Sequence, residues 1–308
     1  MDGVTAARRP APAYDPKASF EISVSEVDLR PNAAGRMLKA RIYQPKGPGP
    51  FPTVLDLHGG GWNRKDRLAE EPMDRALAAS GLLVVAVDLT LGGEAPYPAC
   101  VQDANYAARW LKVNAARWNG DVSKLGIYGS SSGGHVAELL SMRPHDPRYT
   151  AIPLAGASGV DATVSWVAMR SPPSDTLARY QNAVNRKNEA MIKNNTVFFV
   201  PWDSIHEGNP RAILARKEKV RLVPFLIMQG GADDNVLPEM QKEFCQAYRD
   251  AGGACEYREF EGSTHEWVAE PGPNTDKARE TVKAFIRSEE HTSELQSLAY
   301  LVCRLLLE

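Results

Sequence analysis

Gly129-Ser130-Ser131-Ser132-Gly133 follows the apolar run Leu125-Gly126-Ile127-Tyr128 and opens the amphipathic stretch Gly134-His135-Val136-Ala137-Glu138-Leu139-Leu140. Its central serine lies between two glycines where a strand gives way to a helix. A nucleophile at such a turn must tolerate strained backbone angles, and the glycines let strand and helix approach closely enough to form it. Ser131 is therefore the candidate nucleophile. Taken alone the pentapeptide is a weak signal, because small residues also gather in ordinary tight turns.

Three other segments strengthen it. Phe51-Pro52-Thr53-Val54-Leu55-Asp56-Leu57 reads as a buried strand, and His58-Gly59-Gly60-Gly61-Trp62 follows directly. Consecutive glycines leave backbone N–H groups unobstructed, and acyl transfer needs such donors where negative charge develops on the carbonyl oxygen. Gly60 and Gly61, with the N–H of Ser132, are the candidate oxyanion hole; His58 reads as a loop-organising residue rather than a base. Downstream, Leu226-Ile227-Met228-Gln229-Gly230-Gly231-Ala232-Asp233-Asp234-Asn235-Val236 is an apolar strand that delivers carboxylates at its C-terminal end. Phe260-Glu261-Gly262-Ser263-Thr264-His265-Glu266-Trp267 places a histidine just past another strand. The resulting order, Ser, Asp, His, suits a triad in which serine attacks, histidine moves the proton and aspartate orients the imidazole. A lone histidine or an Asp-Asp turn would be bland, and it is the joint spacing that points to catalysis.

These segments together resemble the α/β-hydrolase superfamily, specifically its carboxylesterase and hormone-sensitive-lipase-like branch, over roughly residues 20–286. The Ser-Ser-Ser-Gly-Gly-His form is similar to acetylesterases, feruloyl-esterase-like hydrolases and kynurenine formamidases. The resemblance implies Ser131 as nucleophile, His265 as general base and acid, and an aspartate from the 233–234 pair. Asp233 is favoured because it begins the D-x-x-V pattern with Val236; Asp234 is the second choice. An α/β-hydrolase fold follows, with a mostly parallel sheet, helices on both faces and a small cap insertion.

Periodicity fits that architecture. Alternating apolar positions in Phe20–Leu29 and Met37–Tyr43 predict two antiparallel edge strands joined by a turn between Pro31-Asn32 and Gly35. Strands are then expected at 51–57, 82–88, 124–129, near 152–156, at 222–229 and at 255–260. Helices are expected near 66–80, 99–114, 238–251 and 274–286. Continuous apolar runs such as Leu82-Leu83-Val84-Val85-Ala86-Val87 belong in a parallel sheet covered on both faces, and catalytic residues gather at the C-terminal ends of such strands. Residues 161–215 break this rhythm and are expected to form the cap. Its Trp166, Met169, Tyr180, Met191, Phe198, Phe199 and Trp202 could equally line a substrate pocket or form the cap's own core; Trp62 and Trp202 are the candidate pocket residues. His135 is expected to be structural, and Asp103 to support the start of the 99–114 helix.

The chain has 308 residues and a formal charge of −2, with 43% hydrophobic and 24% charged residues, the profile of a globular protein with one large domain. Its sequence pI of about 6.3 gives no electrostatic reason to expect nucleic acid or an anionic membrane, and small, weakly charged substrates fit better. No apolar stretch approaches the roughly 20 residues of a membrane span. Arg8-Arg9 with Pro10, Pro12 and Pro16 lack an apolar leader core, so residues 1–19 read as a flexible N-terminal segment and a cytoplasmic location is expected. Cys100, Cys245, Cys255 and Cys303 suggest neither a zinc site nor a disulfide framework, so reduced buried thiols are expected, with no catalytic use of Cys100. No phosphate loop, metal quartet or repeat is present, and no cofactor or metal is expected.

Residues 287–308, beginning Arg287-Ser288-Glu289-Glu290-His291-Thr292-Ser293, resemble the translation of a sequencing-adapter oligonucleotide. They are expected to be a non-native tail in which His291 and Cys303 carry no function, although Leu295, Leu298, Leu301 and Leu305 lie close to helical spacing. The function expected is a serine hydrolase of short-chain or small aromatic carboxylic esters. The alternatives are a kynurenine-formamidase-like amide hydrolase and a non-catalytic small-ligand receptor of the same fold. Oligomeric state stays open.

Overall fold

The computed structural model describes the backbone of residues 14–305 and the side chains of residues 14–290. The expected N-terminal segment lies largely outside the described residues, as do the side chains of His291 and Cys303. An eight-stranded sheet runs in the order β1-β2-β4-β3-β5-β6-β7-β8. Its strands are β1 (Ile22–Pro31), β2 (Met37–Pro45), β3 (Phe51–Leu57), β4 (Leu83–Val87), β5 (Gly120–Ser130), β6 (Trp166–Arg170), β7 (Phe225–Gly230) and β8 (Cys255–Phe260). β2 pairs antiparallel with both β1 and β4. All remaining pairings are parallel.

Strand period sorts the core into two layers. Leu55, Leu57, Val85, Val87, Ile127, Met169 and Ile227 point to one face, where they pack with Val101, Ala104, Ala108, Val136 and Leu140. Those partners belong to the helices α2 (Ala99–Asn114) and α3 (Ser132–Met142). Val54, Val84, Ala86, Tyr128, Ala168 and Leu226 point to the other face and meet Met73, Leu77, Ala278, Val282 and Ile286. These come from α1 (Glu71–Ala79) and from the long C-terminal helix Pro273–Leu305. The latter helix passes through position 287 without interruption.

One expected strand is misplaced. Ile152-Pro153-Leu154-Ala155-Gly156 forms no strand, since Pro153 cannot donate to a ladder and the segment runs partly exposed. The strand beside β5 is Trp166–Arg170, buried throughout, so it belongs to the sheet and not to the insertion. Between β6 and β7 lie α4 (Thr176–Asn185), α5 (Glu189–Phe198), α6 (Ser204–Glu207) and α7 (Pro210–Ala215). Side chains of Asp175, Asn188 and Asn209 accept hydrogen bonds from the first turns of α4, α5 and α7, which fixes where each helix begins. Asp103 supports no helix start; it accepts from Thr90 N at 2.7 Å and from Arg30, tying the β4 exit to the edge of the sheet.

The expectation of reduced thiols is also corrected. Cys245 of α8 (Pro238–Asp250) and Cys255 of β8 form a disulfide, with Cα atoms 5.6 Å apart. A ten-residue separation carries no such signal in sequence; the pairing arises because α8 folds back along β8. Cys100 is free and buried.

Asp56 of β3 and Asp74 of α1 are fully buried on the second face, and none of their carboxylate oxygens has a hydrogen-bond partner among the described residues. Burial first, then the charge of Glu70 at Asp56 and of Asp56 at Asp74, pushes both carboxyls well above the usual range. A carboxyl raised in the folded state releases its proton earlier in the unfolded chain, so stability falls as pH rises above the unfolded value of about 3.9. Asp56→Asn or Asp74→Asn should therefore raise the urea midpoint at pH 7.5, with the gain shrinking toward pH 4; equal gains at both pH values would contradict the assignment.

Candidate active site

Ser131 sits at the junction of β5 and α3 with φ 49° and ψ −118°, a left-handed conformation disfavoured for a residue with a Cβ. Three contacts hold it there. Ser131 N donates to Arg170 O at 2.7 Å. A Cβ on Gly133 would lie 1.9 Å from Leu57 O, so only glycine lets α3 start this close to β3. Gly59 also runs close to the turn, its hypothetical Cβ 3.0 Å from Ser130 O.

Ser131 Oγ is 2.7 Å from His265 Nε2, and His265 Nδ1 is 2.7 Å from Asp233 Oδ2. If Nδ1 carries the proton it donates to Asp233, leaving Nε2 free to accept from the serine hydroxyl. β7 and the loop after β8 deliver the two partners from adjacent parallel strands. Asp233 is held by Asn235 N and Val236 N, both donating to Oδ1 at 2.9 Å, and by Gln229 Nε2 donating to Oδ2 at 3.1 Å. Burial alone would raise its pKa, but these backbone donors and His265 bring it below the usual carboxylate range. His265, mainly through burial and against the pull of Asp233, is lowered from its ordinary value. Asp234 faces away, its carboxylate pairing with Arg186 and its carbonyl accepting from Asn182 Nδ2.

Gly60 and Gly61 both adopt positive φ, 108° and 62°. Among the described residues no backbone carbonyl outside the regular elements accepts from the N–H of Gly60, Gly61 or Ser132. Asn63 ties the loop down, its Nδ2 donating to Gly61 O at 2.8 Å and to Asn194 O of α5 at 3.0 Å. His58 organises the start of the same loop: Nδ1 pairs with Gly59 O at 2.8 Å and Nε2 accepts from Leu89 N at 3.3 Å.

A cavity of about 150 Å³ opens on Ser131 and His265, bounded by Gly60, Gly61, Arg64, Arg179, Asn188, Ala190, Met191, Asn194, Asn235 and Glu266. Trp62 and Trp202 do not border it. Trp62 is buried, stacked on Phe198 with centroids 4.6 Å apart, and its indole N–H donates to His135 Nδ1 at 3.2 Å. Trp202 packs on Tyr180 at 4.6 Å. The insertion's Phe198 and Phe199 pack into the main core against Trp62, Tyr97 and His135, and of the apolar residues singled out in the 161–215 segment Met191 reaches the cavity. His135 is structural: Nε2 lies 2.6 Å from Gly208 O, and burial pushes its pKa down to about 4.

Arg170 escaped the sequence reading. It is 2% exposed; Nε donates to Ser130 Oγ at 2.9 Å, and Nη1 donates to His265 O. One guanidinium thereby braces the nucleophile turn against the histidine loop. The available signal was a charge ending the apolar run Trp166-Val167-Ala168-Met169.

The fold and this site place the chain in the α/β-hydrolase superfamily. The BD-FAE family model matches residues 41–248, more than half of the chain, and the protein belongs to that family. Carboxylesterase NlhH of Mycobacterium tuberculosis (strain ATCC 25618 / H37Rv) is 38% identical over 97 residues, covering 31% of this chain and 30% of NlhH. Carboxylic ester hydrolase LipN of the same strain is 25% identical over 259 residues, 81% of this chain and 65% of LipN. The matches therefore span less than two thirds of these relatives' own length. Est2 of Thermogutta terrifontis with propionate bound superposes with TM-score 0.67 at 22% identity, covering 87% of this chain and 93% of that one. Esterase B from Lactobacillus rhamnosis gives 0.73 at 19%, covering 93% and 90%. Among the described residues no helix is long and apolar enough to cross a membrane.

Arg170→Met should leave a folded protein whose turnover of 4-nitrophenyl acetate falls about 10²-fold, because the Ser131 turn and the His265 loop lose their common brace. Wild-type turnover in that variant would show that the brace does not set their geometry.

Proposed function

We propose that the protein is a serine hydrolase that cleaves carboxylic esters through an acyl-enzyme intermediate. The observation that carries this reading is the continuous line from Ser131 Oγ through His265 to Asp233, both links 2.7 Å long. Relatives named carboxylesterase and carboxylic ester hydrolase support the same chemistry. Ser131 Oγ bonds to the substrate carbonyl carbon as its proton passes to His265 Nε2. The oxyanion formed takes hydrogen bonds from Gly60, Gly61 and Ser132 N–H groups. His265 then protonates the leaving alcohol, the carbon–oxygen ester bond breaks, and water repeats the sequence to release the acid and restore Ser131. Asp233 stays ionised throughout and holds the imidazole in place.

The cavity, at about 150 Å³, favours short acyl chains or small aromatic groups over extended lipids. The intact triad geometry speaks against a ligand receptor without catalysis. The helices between β6 and β7, which supply Arg179, Asn188, Met191 and Asn194 to the cavity wall, serve as its cap. A cytoplasmic location belongs to the same proposal and must accommodate the Cys245–Cys255 disulfide, a bond that reducing compartments disfavour.

Ser131→Ala and Asp233→Asn should each lower kcat for 4-nitrophenyl acetate about 10⁴-fold or more; turnover retained in the serine variant would defeat the proposal, and N-formylkynurenine cleavage outpacing every ester would reassign the substrate to an amide. The reaction needs neutral His265. Activity should thus fall as pH drops, with the half-maximal point of kcat/KM below the ordinary histidine value of 6.5. A midpoint clearly above 6.5 would contradict the buried, lowered imidazole.

A further inference from the structure

Arg179 of α4 is only 3% exposed, yet it borders the cavity shared by Ser131 and His265. Its Nε donates to Asn235 Oδ1 at 2.9 Å, while Nη1 has no hydrogen-bond partner among the described residues. The guanidinium lies over the face of Trp62, 5.2 Å from the ring centroid, a cation–π platform that fixes its plane. Among the described residues Asp233 is the one acid that supports its charge, and both Asp233 oxygens are already engaged by His265, Gln229, Asn235 N and Val236 N. Burial lowers the pKa of Arg179 to about 10, so it is a cation at neutral pH.

The other charges on the cavity wall do not satisfy it. Glu266 is bound to Lys65 Nζ at 3.0 Å and lies 3.9 Å from Arg170 Nη2. Arg64 adds a second, exposed guanidinium at the rim. A buried donor left unpaired is costly, and a fixed guanidinium fork matches a carboxylate.

Given the ester-hydrolase reading, we propose that Arg179 is the substrate's anion anchor, and that the preferred ester carries a carboxylate close to the scissile carbonyl, on either its acyl or its alcohol side. A cavity this small keeps any group that reaches Arg179 within a few bonds of the carbonyl at Ser131. The overall charge of −2, which alone favours weakly charged substrates, does not report this local field.

Two matched pairs test it with the full chain. 4-Acetoxybenzoate against 4-acetoxybenzamide places the charge on the leaving group; 4-nitrophenyl hydrogen adipate against 4-nitrophenyl hexanoate places it on the acyl chain. In at least one pair kcat/KM should favour the anion by about tenfold or more. Arg179→Gln should abolish that preference, and Arg179→Lys should keep part of it. Calorimetric binding of 4-acetamidobenzoate against 4-acetamidobenzamide gives a readout that needs no turnover. Arg179-dependent binding of the acid without hydrolysis of any ester would uphold the anchor and overturn the esterase reading. Equal treatment of charged and neutral members in both pairs and in binding, or a preference that survives in Arg179→Gln, would overturn the anchor.

Discussion

The left-handed turn at Ser131 is the constraint on which the rest of the molecule depends. A serine at φ 49° is unfavourable in isolation, so its surroundings must over-determine it. They do so from three directions. β5 presents the residue at the C-terminal edge of the sheet, Gly133 allows α3 to begin against the β3 backbone, and Arg170 O accepts the Ser131 N–H. The same turn points Oγ at His265 and sets Ser132 at the first position of α3. The proposed nucleophile and the proposed oxyanion donor therefore share one local conformation.

Around that turn the parallel sheet acts as a collector. β3, β5, β7 and β8 run in the same direction, so the segments leaving their C-terminal ends meet on one edge. The glycine loop follows β3, the serine turn follows β5, Asp233 follows β7 and His265 follows β8. β6 contributes Arg170 at its own C-terminal end, where it binds the Ser130 hydroxyl and the His265 carbonyl. The helices between β6 and β7 supply Arg179, Asn188, Met191 and Asn194 to the cavity wall, which is more polar than their aromatic content suggests because those aromatics pack on one another and on Trp62.

Features carried by local chemistry were legible in the sequence. The glycine clusters, the continuous apolar strands and the helices at 99–114 and 238–250 announce themselves through spacing, and the residues brought into line with Ser131 follow strand ends. What stayed hidden depends on who meets whom in three dimensions. Trp166–Arg170 reads as one more apolar piece of an irregular segment, and only its ladder with β5 and β7 makes it a strand. Arg170 and Arg179 resemble any surface arginine until burial is known. Trp62 has the composition of a pocket wall but serves as the platform beneath Arg179, and the Cys245–Cys255 pair is invisible until α8 folds along β8.

Reaction with a fluorophosphonate probe, read by intact mass and peptide mapping, tests the central claim most directly. The geometry requires one adduct, on Ser131, formed only when His265 is neutral and lost in His265→Ala. A folded protein that stays unlabelled, or that carries its adduct on another residue, would contradict the account.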